Sequence, residues 1–290
     1  MNNQTIIFDT QLYLKRQQKH LSSSTYSQQS FLYEAACSSL ANRLQDITKS
    51  FSHILNISPR NGEIKNQVAK LAHCQSATFD EKSYISHGSR GHFADNFKKE
   101  YYDLILSCFD IHWLNDIPSF FLQIRQLLAD DGAFLTAFLG NNTLSELRYC
   151  FYEAEKKLGI AHTPHISPMI NLQSAAGLLQ SFGFALPVVD KETITVKYKN
   201  AYELMKDLRS MGENNCWLSR KKSFSSRALF ELVNTLYQKT FSDIDGYITA
   251  SFDIVFMIGW KPHKSQPKPL RPGSADVSLK DILESKGKPQ

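Results

Sequence analysis

The sequence predicts an α/β protein built on a doubly wound, mostly parallel sheet. Three observations lead there. Apolar strand-like runs alternate with segments of helical period through residues 54–139, the pattern of stacked right-handed β-α-β units. The run YDLILSCF (102–109) is apolar at successive positions, so both of its faces need cover, as in a central parallel strand. TITVKYK (193–199) and FDIVFMIGW (252–260) instead alternate, with Ile194, Val196 and Tyr198 in step and Ile254, Phe256, Ile258 and Trp260 likewise. That alternation suits an antiparallel pair at one side of the sheet.

The elements follow in order. Residues 1–26 are polar and rich in Ser and Gln, an arm leading to a helix around 27–47. A short strand is expected at 54–57, a helix at 63–72 and a second strand at 74–79. After the 102–109 strand, Phe120, Phe121, Ile124, Leu127 and Leu128 form one apolar helical stripe. That helix is expected to stop at ADDG, with Gly132 left-handed, before the strand AFLTAFL (133–139). Thr143 and Glu146 have the spacing of a capping box. Leu172, Ala175, Ala176 and Leu179 mark a further helix closed by Gly183.

The stretch 199–251 is far too long for a hairpin loop. It carries helical patterns at 201–211 and 228–240, an insert suited to a lid or partner surface. The expected organisation is an arm and helix (1–48), a core (49–198), the insert (199–251), a last core strand (252–261) and an extended, basic, Pro-rich tail (262–290).

Composition narrows the function. The 290 residues are 42% apolar and 21% charged, which is globular, and the net charge of +5 gathers toward the C-terminus without a basic stripe. A nucleic-acid footprint is therefore not expected. The five cysteines form no CxxC or Cys/His pair, and no metal-site spacing occurs. No apolar run is long enough to span a bilayer and no signal or transit pattern is present. The expected address is the cytoplasm, or a mitochondrial matrix after removal of a presequence.

Candidate site residues cluster after strands. ILNISPRNGEI (54–64) is a strand, turn and helix where α/β sheets bind ligands. It keeps only Gly62, and Pro59 and Arg60 stand where backbone approach would be needed. Asp110 and His112 follow the 102–109 strand, where a general base would sit, although the same residues could cap the next helix. Arg148 and His165 would border a substrate pocket. Asp207, Glu213 and Asn215 lie in ELMKDLRSMGENNC (203–216), where carboxylates would suit a guanidinium-bearing partner.

YDLILSCFDIHWLNDIP (102–118), with its SxxxxHWxxDxP ending, resembles the fourth-strand motif of class I S-adenosylmethionine-dependent methyltransferases, in the branch of the biotin-pathway malonyl-carrier-protein enzymes. NTLSELR (142–148), TPHISP (163–168), ELMKDLRSMGENNC and MIGWKPHKSQPKPLRPGSADVS (257–278) resemble the mitochondrial complex I assembly factor 5 family and its bacterial relatives, over nearly the whole chain. The resemblance implies a seven-stranded methyltransferase sheet with its last two strands antiparallel. It also implies S-adenosylmethionine as cofactor, and a methyl acceptor or a respiratory complex I subunit as partner. For the eukaryotic member it implies hydroxylation of an arginine on such a subunit. It places the cofactor on Asn56, Ser58, Gly62 and Ser107, with Asp80 as the nearest substitute for the ribose acid, whose matching position is Ala77. The family's DLGCGRG loop is altered here: Asn56 replaces the acid, and Ser58 and Arg60 replace two glycines. HGSRGHF (87–93) replaces the acidic pair beside the adenine. The expected function is methyl transfer with an altered cofactor loop, the alternatives being a non-catalytic assembly factor or a protein-arginine hydroxylase.

Overall fold

The computed structural model describes residues 6–22, 30–58, 60, 62–85 and 93–267. Among them the sheet has six strands, β1 (His53–Asn56), β2 (Thr78–Glu81), β3 (Tyr102–Cys108), β4 (Leu128–Leu139), β5 (Ala185–Tyr198) and β6 (Ile248–Trp260), in the order β2-β1-β3-β4-β6-β5. β2, β1, β3 and β4 run parallel, while β6 is antiparallel to both β4 and β5. This is the class I methyltransferase arrangement with six strands rather than seven among the described residues. From β1 the chain winds one way to β2 and then crosses to β3 on the other side, so strand order reverses between β1 and β3. Ligands of open α/β sheets bind at that point, outside the carboxyl ends of the strands.

Strand alternation sorts the core into two layers. In β4, Ala133, Leu135, Ala137 and Leu139 face one layer while Phe134 and Phe138 face the other. Helices α2 (Phe31–Gln45), α3 (Glu63–Val68), α5 (Ser145–Leu158), α7 (Ala201–Ser210) and α8 (Arg227–Phe241) feed the first layer. Helices α4 (Ile117–Leu127) and α6 (Leu172–Ser181) cover the second. Asp116 caps α4 by accepting from the Ser119 amide at 2.9 Å, with Pro in the first turn, as a strand-to-helix turn requires.

Several elements depart from the sequence expectation for local reasons. The polar arm contains α1 (Thr10–Leu21), capped by Asp9. Its buried face is Tyr13, Gln17 and His20, so the helical period is carried by polar side chains and leaves no apolar stripe to read. The segment before α1 pairs with the insert: Asp9 N donates to Cys216 O at 2.9 Å and Leu218 N to Ile7 O at 2.9 Å. β2 lies later than expected, because Ala72–Cys74 forms a 3₁₀ turn. The left-handed residue before the core of β4 is Asp131, φ 57°, not Gly132. Gly132 is needed for close approach, since a Cβ there would sit 2.9 Å from Tyr102 O. The expected capping box does not form. Thr143 and Glu146 instead bind β6: Thr143 Oγ1 donates to Asp253 O at 3.2 Å, and Ser251 Oγ donates to Glu146 Oε1 at 2.5 Å. Pro59, Asn61, residues 87–92 and the tail from 268 lie outside the described residues.

Candidate functional site: a cavity at the strand switch point

The site grows from the end of β1. Asn56 Oδ1 accepts from the Ser58 amide at 3.0 Å, which turns the chain sharply as it leaves the strand. The Ser58 hydroxyl donates to Asp110 Oδ2 at 2.6 Å, accepts from the Cys108 amide at 2.9 Å and lies 3.3 Å from Ser107 Oγ. Tyr33 Oη donates to Ser58 O at 3.0 Å. Gly62 starts α3 with φ 73° and open space where a Cβ would be, so left-handed backbone explains the glycine here. Burial raises the Asp110 carboxyl to about 6, partly opposed by the Arg60 charge and the Ser58 hydrogen bond.

Arg60, which occupies a cradle position, turns inward and is itself buried. It donates to Glu213 Oε1 at 3.0 Å, to Tyr13 Oη at 2.7 Å and to Phe109 O at 2.8 Å. Phe109 holds a left-handed φ of 62°, a conformation costing a bulky residue roughly 1–3 kcal/mol, and its carbonyl serves this guanidinium. The other Glu213 oxygen lies 3.1 Å from His112 Nε2 and accepts from Trp113 Nε1 at 3.0 Å. Burial alone would push Glu213 up; the Arg60 charge and the His112 hydrogen bond reverse this and hold it near about 2. His112 is pulled below its ordinary value by burial, against the pull of Glu213. A neutral imidazole facing a carboxylate donates from Nε2, which leaves Nδ1 buried and unpartnered among the described residues.

Two cavities meet this cluster from opposite sides. One, of about 320 Å³, lies outside the ends of β1 and β3 and is lined by Tyr13, Gln17, Ser58, Arg60, Ser83 and Asp110. The other, of about 220 Å³, lies between the core and the insert and includes Trp113, Phe151, His165, Met205, Leu208 and Glu213. The Arg60–Glu213 ion pair is the partition between them.

The residues expected from the sequence divide accordingly. Ser58, Ser107, Asp110, His112 and Glu213 come together, and Asn56 and Gly62 frame the loop. Asp80 stands apart, because its carboxylate accepts from Tyr102 Oη at 2.5 Å. The acid at the carboxyl end of β2 is Glu81, whose Oε1 accepts from Asn56 Nδ2 at 3.0 Å. A second strand expected at 74–79 ends too early to reach it. His112 is enclosed and spent on Glu213, so it does not face either cavity as a free base. Asp207 accepts from Tyr198 Oη at 2.8 Å. Asn215 joins the insert to the 164–167 loop through Pro164 O at 2.8 Å and Ser167 Oγ at 3.0 Å. His165 stacks on Phe151 at 3.9 Å and bonds Glu155 at 2.8 Å. Tyr13 and Glu155 carry no sequence signal: the first lies in the polar arm, the second beside Lys156 and Lys157, where a solvated acid is expected. Among the described residues no group of three side chains is placed to hold a metal ion, and no helix is long and apolar enough to cross a membrane.

No family model matches the chain. Among curated proteins it is 34% identical over 289 residues to the mitochondrial arginine-hydroxylase NDUFAF5 of Danio rerio, covering 95% of this chain and 89% of the relative. The Homo sapiens protein of that name is also 34% identical, over 95% of this chain and 83% of its own length. A malonyl-[acyl-carrier protein] O-methyltransferase of Gallionella capsiferriformans is 28% identical over 60% of this chain and 57% of the relative. Among solved structures, a SAM-dependent methyltransferase from Archaeoglobus fulgidus superposes with a TM-score of 0.43 at 12% identity, covering 81% of this chain and 99% of that one. On the length and identity of the first two matches, the chain belongs to the NDUFAF5 arginine-hydroxylase family.

Proposed function

We propose that the protein is an S-adenosylmethionine-dependent methyltransferase whose cofactor loop has been rebuilt around Ser58 and Arg60. The observation that carries this reading is the 320 Å³ cavity at the strand switch point, walled by Ser58, Arg60 and Asp110 and by the mixed face of α1 that carries Tyr13, Leu14 and Gln17. The residues present fit a nucleoside-sized ligand: Arg60 folds toward Glu213 and the cavity stays open, while Glu81, at the end of β2 and held by Asn56, is the acid that would take a ribose hydroxyl. When bound, the cofactor would supply an activated methyl group. The chain's own contribution is positioning, which can account for most of such a rate enhancement. Ser58 and Asp110 orient the donor side, Trp113 and the insert exclude water, and an acceptor in the cavity beside Met205 and His165 reaches the donor only when the Arg60–Glu213 pair parts. Asp110 lends a carboxylate to the wall of the donor cavity, and His112 acts as a positioning residue through Glu213.

Calorimetric titration with S-adenosylmethionine and S-adenosylhomocysteine tests this reading. Saturable heat is expected, with a thermal shift matching the stabilisation of about 2.7 kcal/mol that a ligand at one hundred times its Kd supplies. Ser58→Leu, which fills the cavity, should abolish both signals. No heat and no shift at millimolar ligand would sink the proposal.

A second reading is favoured by one contact. Glu213 already grips a guanidinium, and the relatives' name is arginine-hydroxylase. On this reading an arginine of a respiratory complex I subunit displaces Arg60, and the protein modifies or chaperones that subunit. Mass spectrometry of the subunit from cells with and without the protein decides it: an arginine heavier by one oxygen, only when the protein is present, favours hydroxylation.

A further inference from the structure

We propose that the cavity between the start of α5 and the 162–168 loop is an anion-binding subsite, in which Arg148 takes a carboxylate or phosphate group carried by the acceptor. The proposal deepens the acceptor reading above, yet its test needs no cofactor, so the two can fail separately.

The cavity holds about 270 Å³ and is lined by Asn141, Arg148, His162, Thr163, His165 and Trp217, among others. Arg148 is half-buried and donates to two backbone carbonyls, Asn141 O at 3.1 Å and Thr143 O at 3.4 Å. Among the described residues no carboxylate lies within ion-pair distance of it. A guanidinium has five N–H donors in a planar fork, so most of this one is unspent. Taking such a charge partly out of water without a counter-charge is costly, and burial indeed draws its pKa down.

No acid lines the cavity, and the one behind its loop cannot answer the cation. Glu155 is buried and already accepts from Thr163 Oγ1 at 2.6 Å and the Thr163 amide at 3.2 Å, and it bonds His162 Nδ1 at 2.7 Å and His165 Nε2 at 2.8 Å. Those contacts pin the 162–165 loop against α5 and so hold the cavity open. What remains facing the space is a fixed cation, an exposed imidazole at His162 and the Trp217 ring. Arg is the side chain best matched to bidentate carboxylate or phosphate. The subsite shares His165 and Ser167 with the cavity beside Glu213, so one acceptor can reach both.

The test is titration of the whole chain with inorganic phosphate and with acetate, at constant ionic strength against chloride, read by calorimetry and by the intrinsic tryptophan fluorescence, to which Trp217 contributes. Saturable binding of at least one probe is expected. Arg148→Gln should weaken it tenfold or more with an unchanged melting temperature, and Arg148→Lys should retain phosphate better than acetate because it keeps the charge without the fork. Preference for phosphate points to a phosphorylated acceptor, and preference for acetate to a carboxylate. Equal binding by Arg148→Gln, or no saturation by either probe up to about 100 mM, an affinity too weak to position any ligand, would overturn the proposal. If Arg148→Gln fails to fold, the phosphate-to-acetate ratio in Arg148→Lys decides, and a ratio unchanged from the wild-type chain also overturns it.

Discussion

Replacing Glu213 with alanine is expected to lower the stability of the protein by about 3–5 kcal/mol, the range for breaking a buried ion pair from one side. The cost arises because Arg60 stays behind. Its side chain is 8% exposed and that of Glu213 3%, so solvent cannot replace the lost carboxylate. Trp113 and His112 lose their acceptor in the same step. Urea denaturation, read as a change in midpoint at constant slope, measures the effect. Removing both partners should cost less than removing one: Arg60→Met with Glu213→Leu is expected to recover part of the loss. No charge is then left stranded, although Trp113, His112, Tyr13 and the Phe109 carbonyl lose a partner. An alanine variant within about 1 kcal/mol of the wild-type chain, the level of an exposed pair, would show that the partition is not a tight ion pair.

The same pair sets an acid limit. Glu213 is held near about 2, below its ordinary 4.5, so between those values the unfolded chain binds the extra proton. Stability from this group is complete above about 4.5 and is lost as pH falls through about 2.

Much of the fold can be read from the sequence because its signals are hydrophobic. β3 announces itself through LILSCF, α4 through Phe120, Phe121 and Ile124, and the antiparallel strands through alternation. The site is only half legible. Ser58, Asp110 and Glu213 stand out because they replace or follow motif positions, but no sequence rule brings residue 60 against residue 213; that meeting depends on the insert folding back over β3. α1 stays hidden because its buried face is Tyr13, Gln17 and His20, which composition reads as solvated. Glu81 escapes because β2 lies at Thr78–Glu81, so its terminal acid falls beyond the end of the strand expected at 74–79. Thr143 and Glu146 show the opposite failure, a correct local spacing overridden by tertiary partners on β6.

Asp110 should behave in the reverse sense to Glu213. Its carboxyl is raised from 3.8 to about 6, so the folded chain binds the extra proton between those values. Stability therefore falls as pH rises through that window, and the full penalty remains above about 6. Asp110→Asn mimics the protonated form and keeps an acceptor for the Ser58 hydroxyl. It is expected to stabilise the protein by about 1–3 kcal/mol above pH 6, since a tenfold change in proton affinity is worth about 1.4 kcal/mol, and to change little below pH 4. Melts of both proteins across this range check the sign, and a gain independent of pH would mean that packing, not charge, is responsible. From these two groups the wild-type chain should be most stable near about pH 4, where most of the Glu213 contribution is in place and the Asp110 penalty has only begun to accrue. A fold selected for stability alone would have used asparagine. Retaining a carboxyl at a cavity wall, against its own burial, makes sense where a cationic ligand compensates it, and the sulfonium of the proposed cofactor is such a cation. Asp110→Asn should then gain stability and lose affinity for S-adenosylmethionine together, and a variant that gains the first without losing the second would detach Asp110 from the cofactor.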